Sequence, residues 1–285
     1  MKFGNCLLLS IGIVSSCSGL EPSSNNTNQV SIETSDETIE NTVETWSILE
    51  DTIYETAVYK YTSNVPGKKV AIVGGIHGDE VAGWKAALQL KERRNFTGEV
   101  LIIPQASILA CKREERYPGL GTSINGVKYK DLNRNFPGNP DGNATEKISY
   151  AITEIVTNFD ADIIIDLHES RSSASASYFD ESASSRLGDL LIYGNSWSSL
   201  FCKVVTQQYN ASYLQNGDCP FGTDTYAPGG SFNQYFGGLY EDKIVLTIET
   251  TRYTDYENRV KKDENRRIQQ QLDLIDLVFE NAEKF

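Results

Sequence analysis

The sequence carries little positive charge: 26 Lys and Arg residues stand against 39 Asp and Glu residues among 285, a formal net charge of −13. Nucleic-acid binding needs a basic surface and attachment to anionic lipid needs a polybasic segment, so the charge argues against both. Five cysteines are too few for a disulfide-stapled scaffold. With 39% hydrophobic residues the chain is too apolar to be disordered, and we expect a folded domain with a sizeable core.

Long hydrophobic runs are also lacking, since none reaches the roughly 20 apolar residues of a transmembrane helix. The run from 6 to 14 follows Lys2 and has the layout of a secretory signal peptide. The small residues before Cys17 resemble a bacterial lipoprotein signal, in which that cysteine is lipidated. A buried element of the fold and ordinary signal cleavage are the alternatives. We predict a signal peptide over 1–16, a lipid anchor at Cys17, and a secreted or cell-envelope location.

The segment that follows is rich in Ser, Asn, Thr and Glu and has few large apolar side chains. This composition is typical of a flexible, self-repelling linker. We therefore predict a tether over residues 17–45 and one folded domain over 46–285.

In the body of the chain, short apolar runs alternate with amphipathic segments. Strands are predicted over 57–63, 69–74, 99–104, 162–167, 190–193 and 244–249, and helices over 80–93, 144–159, 197–209 and 260–282. The segments 170–185 and 216–238 have little hydrophobic pattern and are predicted as long loops. Apolar strands interleaved with helices predict an α/β fold whose sheet is covered on both faces.

Only two histidines occur, and each follows an apolar strand-like run. His77 and Glu80 lie in the sequence GGIHGDE, at a predicted strand-to-helix turn that the glycines permit. His168 closes the run IIIDLH, and ligands bind at strand ends in open α/β sheets. Two His and one Glu, with a position left for water, form a catalytic zinc set. We predict this metal site; the alternatives are a surface histidine beside a helix-capping acid and a hydrogen-bonded core histidine.

The segment DLNRNFPG at 131–138 packs polar groups beside Phe and Pro, as in a structured binding loop. The planar guanidinium of Arg134 is suited to a carboxylate. A turn with a surface salt bridge is the alternative interpretation.

Together these segments resemble the zinc carboxypeptidase superfamily, and most of all its succinylglutamate desuccinylase/aspartoacylase branch. The segments that carry the resemblance are GIHGDE at 75–80, SILACKREERY at 107–117, DLNRNFPG at 131–138, DLHE at 166–169 and TIET at 247–250. The interval of 88 residues from Glu80 to His168 is short, as in the deacylase branch. The resemblance implies a mixed, mostly parallel central sheet flanked by helices on both faces, and one zinc ion.

The resemblance also assigns roles around the metal. Asp131 would accept a hydrogen bond from the ligand His77 and so fix its tautomer. Glu249, at the end of IVLTIE, would be the general base. The alternative for Glu249 is a strand-end acid that pairs with Arg252.

Two further roles concern the substrate. Arg116 would polarise the scissile carbonyl, with Arg113 as a near alternative. Asn133 and Arg134 would hold a substrate carboxylate. The family has Asn-Pro before the catalytic arginine, where this chain has Ser107 and Ile108.

These assignments predict a zinc-dependent amidohydrolase of the deacylase or carboxypeptidase type, which cleaves an amide bond next to a free carboxylate outside the cytoplasm. Its substrate would be a small N-acyl amino acid or a short peptide, and its only membrane contact the anchor at Cys17. The alternatives are a cell-wall peptide carboxypeptidase or amidase, and a catalytically inactive surface binding protein. The sequence leaves the pairing of Cys202 with Cys219 open.

Overall fold

The computed structural model describes residues 38–117, 131–170, 188–225, 227–255 and 260–285. This part of the chain forms ten strands, six α-helices and a short 3-10 helix at Leu132–Arg134. The strands are β1 Asn41–Ile48, β2 Thr56–Ser63, β3 Lys69–Gly74, β4 Glu99–Ile103, β5 Ile163–Ser170, β6 Leu190–Tyr193, β7 Gly222–Asp224, β8 Ile244–Thr251, β9 Tyr253–Asp255 and β10 Val260–Lys261. The α-helices are α1 Val81–Leu90, α2 Ile108–Arg113, α3 Ala144–Phe159, α4 Ser196–Ser212, α5 Phe232–Leu239 and α6 Glu264–Ala282.

Eight strands form one sheet in the order β1-β2-β4-β3-β5-β8-β6-β7, and β9 pairs with β10 separately. The central strands β4, β3, β5 and β8 run parallel to one another. Antiparallel pairings lie on both sides of this centre, where β2 meets β4 and β6 meets β8. The predicted mixed sheet with a parallel centre is confirmed.

Alternate residues of the central strands point to opposite faces of the sheet, and both faces are apolar. In β3, Val70 and Ile72 pack with side chains of α1, α4 and α6, whereas Ala71 and Val73 pack with α3 and α5. Burial on both faces explains why these strands are continuous apolar runs rather than alternating ones. The predicted helices on both faces of the sheet are confirmed.

The sheet begins earlier in the chain than the sequence predicts. β1 starts at Asn41, so it takes in residues 41–45, which the composition assigns to the tether. Every residue of β1 pairs with β2, and Trp46 packs on the core. The predicted signal peptide over 1–16 and the anchor at Cys17 lie outside the described residues.

Two helices, α2 and α5, are missing from the sequence-based prediction. The predicted loop over 216–238 is wrong in two places: it contains β7, which pairs with β6, and its end forms α5, where the side chain of Ser231 caps the helix and Phe236 is buried. The predicted helix over 260–282 begins four residues late, at Glu264, because Asp263 caps it there.

The three cysteines within the described residues are free thiols, so Cys202 and Cys219 are not paired. Burial raises the pKa of the Cys111 thiol to about 12. Among the helices in the described ranges, none combines the length and the apolar character needed to cross a membrane.

Candidate metal centre and active site

The loop between β3 and α1 carries the first two candidate ligands. Gly75 has a φ of 74°, in the left-handed region that favours glycine. Gly78 passes so close to α2 that an added Cβ would lie 2.0 Å from the carbonyl carbon of Ala110. These glycines let the loop fold back over the end of β3, where His77 and Glu80 are each only 3% exposed.

The carboxylate of Glu80 bridges the two histidines. Its Oε1 lies 2.9 Å from Nδ1 of His77, and its Oε2 lies 2.6 Å from Nδ1 of His168. The structure therefore brings together three buried side chains from two segments, whose donor atoms all lie within 4.8 Å of one another. Burial by itself raises the pKa of Glu80, but the two imidazoles lower it well below its usual range, so the carboxylate is ionised.

An aspartate lies at the outer nitrogen of each histidine. Nε2 of His77 lies 2.8 Å from Oδ1 of Asp131, as the sequence analysis predicts. Nε2 of His168 lies 3.0 Å from Oδ2 of Asp166, a close ion-pair contact that is not aligned as a hydrogen bond. Carboxylate partners of this kind orient the ring, so that the Nδ1 atom of each histidine faces inward.

Asp166 was missed by the sequence reasoning, although a signal for it exists. Residues 166 and 168 lie two apart on β5, so their side chains share a face of the sheet. Oδ1 of Asp166 accepts a hydrogen bond from the hydroxyl of Thr247 on β8, and that hydroxyl in turn accepts one from Nδ2 of Asn233 at 3.0 Å. A polar chain therefore runs from α5 through β8 to His168.

The donor set fits zinc. Imidazole nitrogen and carboxylate oxygen are zinc ligands, whereas calcium and magnesium take oxygen ligands almost entirely. The donors converge, are buried, and are held from outside by Asp131 and Asp166. His77, Glu80 and His168 are thus the residues that would hold one zinc ion.

Glu249 lies beside this centre because β8 runs next to β5 in register, which places Glu249 opposite His168. Its Oε2 is buried and has no hydrogen-bonding partner in the described part of the chain. The pKa of Glu249 is raised to about 8, mainly by burial; the charges of Glu80 and Asp166 also raise it, while His168 and Arg116 lower it. A buried carboxylate with an open oxygen and a raised pKa is suited to proton transfer.

Arg252 is not the partner of Glu249. Its Nη1 donates to the carbonyl oxygen of Asp79 at 2.8 Å and to Oδ2 of the same residue at 3.0 Å. The alternative interpretation of Glu249, as a strand-end acid paired with Arg252, is therefore wrong.

Of the two candidate arginines after β4, Arg116 is the one with a contact to Glu80 among the described residues. Its Nη1 donates to Oε1 of Glu80 at 2.7 Å, whereas Arg113 is exposed at the end of α2. Burial by itself lowers the pKa of Arg116, but the acids Glu80 and Asp131 raise it above its usual value. The guanidinium is therefore a fixed positive charge at the edge of the centre.

The 3-10 helix presents the two predicted substrate-binding residues. Asp131 begins this turn, and its Oδ1 accepts a hydrogen bond from the backbone N–H of Asn133 at 3.0 Å. The same oxygen contacts His77, so Asp131 links the turn to the candidate metal centre. Oδ1 of Asn133 accepts from the backbone N–H of Phe232 at 2.8 Å, so its amide NH₂ remains as the donor. The guanidinium of Arg134 lies 4.0 Å from Oδ2 of Asp131, and its side chain is 32% exposed.

Two sequence comparisons bear on this geometry. Residues 66–188 match the profile described as the succinylglutamate desuccinylase/aspartoacylase catalytic domain. Over 105 residues the chain is 34% identical to the N-alpha-acetyl-L-2,4-diaminobutyric acid deacetylase of Halomonas elongata. That stretch covers 36% of this chain and 28% of the relative, so the chain spans little more than a quarter of that protein.

Solved structures share the fold. The product-bound ectoine utilization protein EutE (DoeB) from Ruegeria pomeroyi has a TM-score of 0.56 and 18% identity over 86% of this chain and 67% of that one. Csd4 from Helicobacter pylori, a D,L-carboxypeptidase solved with mDAP, has a TM-score of 0.61 and 17% identity over 76% of this chain and 51% of that one.

The profile match includes all three candidate ligands, His77, Glu80 and His168, but ends before Glu249. The family resemblance read from the motifs is confirmed over residues 66–188, where the chain is similar to the catalytic domain of the succinylglutamate desuccinylase/aspartoacylase family.

Proposed function

We propose that this chain is a zinc-dependent amidohydrolase that cleaves an amide bond next to a free carboxylate. The convergence of His77 and His168 on Glu80, with Glu249 facing His168 from the next strand, carries the proposal. It is supported by the matched family, whose members include desuccinylases and a deacetylase, all of them amide hydrolases. Because the chain covers only part of these relatives, its own substrate belongs to the proposal.

Each residue around the centre has a separate task. Bound at the three ligands, zinc would supply a Lewis acid for the attacking water and the substrate carbonyl. Glu249 takes a proton from the water at its open Oε2 and later gives one to the leaving amine. Arg116 donates to the oxygen of the scissile carbonyl as negative charge develops there. Its contact with Glu80 fixes the guanidinium before the substrate arrives, which reduces the cost of reorganisation.

The substrate carboxylate would bind at the 3-10 helix. Asn133 offers its amide NH₂ and Arg134 its guanidinium, from adjacent positions of one short turn. Because Asp131 begins the same turn and also contacts His77, the turn fixes the distance between the carboxylate site and the metal centre. This coupling favours an acyl amino acid or short peptide whose carboxylate lies close to the scissile amide.

The direct test is substrate profiling of the purified, zinc-loaded protein on N-acyl amino acids and on muropeptides, with His168→Ala as the control. We expect turnover on one panel by the native protein. His168→Ala should lose turnover and most bound zinc, since it removes a ligand and leaves Glu249 in place. Full zinc occupancy in that variant would refute the ligand assignment.

A cell-wall peptide is the second candidate substrate. The signal-like N-terminus and the fold shared with the D,L-carboxypeptidase Csd4 favour it. Turnover confined to muropeptides would select this candidate. Tight zinc binding without turnover on either panel would instead support an inactive binding protein.

We also propose that the protein acts outside the cytoplasm, held to the membrane by lipid on Cys17. The apolar run over 6–14 and the small residues before this cysteine support the proposal. Cys17→Ala should release the protein from the membrane fraction or block its maturation. Unchanged fractionation would leave ordinary signal cleavage as the better interpretation.

A further inference from the structure

Glu169, the last residue of the DLHE segment, has no role in the proposed chemistry, yet it is fully buried. It follows His168 on β5, so its side chain points to the opposite face of the sheet. On that face it lies among side chains of α1 and α6, on the side of the core that contains Leu167. A buried carboxylate needs partners there, and the structure supplies two.

The first partner is the N-terminus of α1. Glu80 occupies the N-cap position but makes no capping bond, because its oxygens face the histidines and Arg116. Oε2 of Glu169 accepts from the backbone N–H of Ala82 at 2.9 Å and so caps the helix in place of Glu80. The positive end of the helix stabilises this anion. Glu169 thereby frees the carboxylate of Glu80 for the metal.

The second partner comes from α6. Nη1 of Arg267 donates to Oε1 of Glu169, and both side chains are buried. One turn later, Nε2 of Gln271 donates to the carbonyl oxygen of His168 at 2.8 Å and to the hydroxyl of Thr250 at 3.2 Å. Helix α6 therefore holds β5 and β8 from the face opposite the candidate metal centre, at His168 on β5 and at Thr250, the residue after Glu249, on β8.

We propose that Glu169, Arg267 and Gln271 form a clamp that positions the zinc ligands. Glu169 links the start of α1, where Glu80 sits, to the strand that carries His168, and α6 fixes Glu169 in place. The backbone N–H of Glu169 adds a direct contact, since it donates to Oε2 of Glu80 at 3.1 Å. The clamp rests on the proposed zinc centre, and its role is to set the separation of Glu80 and His168.

The variant Arg267→Met distinguishes the positioning of the zinc ligands by Arg267 from the effect of its positive charge on zinc binding. Removing a positive charge near the site would by itself tighten the binding of a dication, whereas loss of the clamp loosens the ligand set. We expect the zinc affinity to fall by about 10–100-fold, as for other residues that orient metal ligands. Arg267→Lys, which keeps a charge for Glu169, should recover much of the loss.

Arg93→Met is the matched control. Arg93 follows α1 and pairs with Asp276 of α6, so its loss also removes one positive charge and one ion pair of α6, but at the end of α1 that lies away from Glu80. Chelator competition on the full chain would give the zinc affinity of each variant. The visible spectrum of the Co²⁺ form would report the ligand geometry, and thermal unfolding of the metal-free protein would report stability.

Weaker zinc binding and an altered Co²⁺ spectrum in Arg267→Met, but not in Arg93→Met, would support the clamp. Equal zinc affinities in the two variants, with only the unfolding temperature lowered, would overturn it and leave the proposed function intact. A native chain that takes up no zinc would overturn both. If Arg267→Met does not fold, Gln271→Met decides the question: it changes no charge, and an unchanged affinity there would count against the clamp.

Discussion

His168 and Glu249 lie opposite each other on adjacent parallel strands, β5 and β8, with their side chains on the same face of the sheet. The proposed metal ligand and the proposed proton-transfer group are thus fixed by backbone pairing rather than by a flexible loop. Glu249 is 8% exposed, and its Oε2 makes no hydrogen bond to any residue that the structure describes. Its geometry relative to the metal is therefore set by the register of the sheet.

Glu249→Gln tests the proton-transfer role. The amide has nearly the same shape and removes no metal ligand, but it cannot take a proton from water. General acid–base catalysis contributes about 10²–10⁴-fold, so the turnover rate should fall by at least about 100-fold while zinc stays bound. Steady-state kinetics and metal analysis on one preparation would check both statements. Near-normal turnover would remove Glu249 from the mechanism.

The zinc affinity should rise with pH. Burial lowers the pKa of His168, but Glu80 and Asp166 more than compensate and raise it well above its usual value. The raised pKa favours the protonated imidazole of His168 in the metal-free protein, and zinc must displace that proton. Below the pKa of His168, each unit of rising pH should strengthen zinc binding about tenfold for each proton released. Chelator competition between pH 6 and 8 measures this slope, and a flat profile would contradict it.

Gly78→Ala should disrupt the ligand loop. The added Cβ would lie 2.0 Å from a backbone carbon of α2, which no side-chain rotation relieves. Overpacking costs about 1–3 kcal/mol or more, so the unfolding temperature and the zinc affinity should both fall. Gly238→Ala is the control, because nothing lies within 4 Å of its added Cβ in α5. The control should be neutral or stabilising by up to about 1 kcal/mol; the same result for Gly78→Ala would refute the packing argument.

The sequence was sufficient to predict which three side chains converge at the candidate metal site, because the chain has only two histidines and both follow apolar runs that form central strands. It did not predict α2 or α5. The six residues of α2 are too few to show helical periodicity, and α5 contains two glycines, which have low helix propensity. The start of β1 was missed because its polar residues join the sheet edge through backbone pairing.

The residues that hold the site in place were also not predicted from the sequence. Arg267 and Gln271 contact Glu169 and His168 across about 100 positions of the chain, inside a helix whose pattern is only that of an amphipathic segment. Such contacts follow from how α6 crosses the sheet, which no local pattern specifies. Asp166 was within reach of sequence reasoning, since the spacing of two from His168 places both on one face.

The effect of Arg134 on substrate binding depends on two opposing electrostatic forces. The chain carries a formal net charge of −13, so its average field repels anionic substrates. That repulsion is screened beyond about 8 Å at physiological salt, whereas Arg134 would act at contact. A bidentate pair between arginine and carboxylate is strong and oriented, so we expect the local contact to dominate.

Arg134→Met should therefore raise KM for free-acid substrates by about 10–100-fold, the loss expected for a hydrogen bond to a charged group of about 1.5–3 kcal/mol. Zinc content should not change, because Arg134 is one-third exposed and contacts no ligand among the described residues. Arg113→Met, at the exposed end of α2, removes the same charge and should leave KM unchanged, which excludes a long-range effect. Methyl esters of the substrates complete the test: if they are hydrolysed as well as the free acids, Arg134 does not bind a carboxylate.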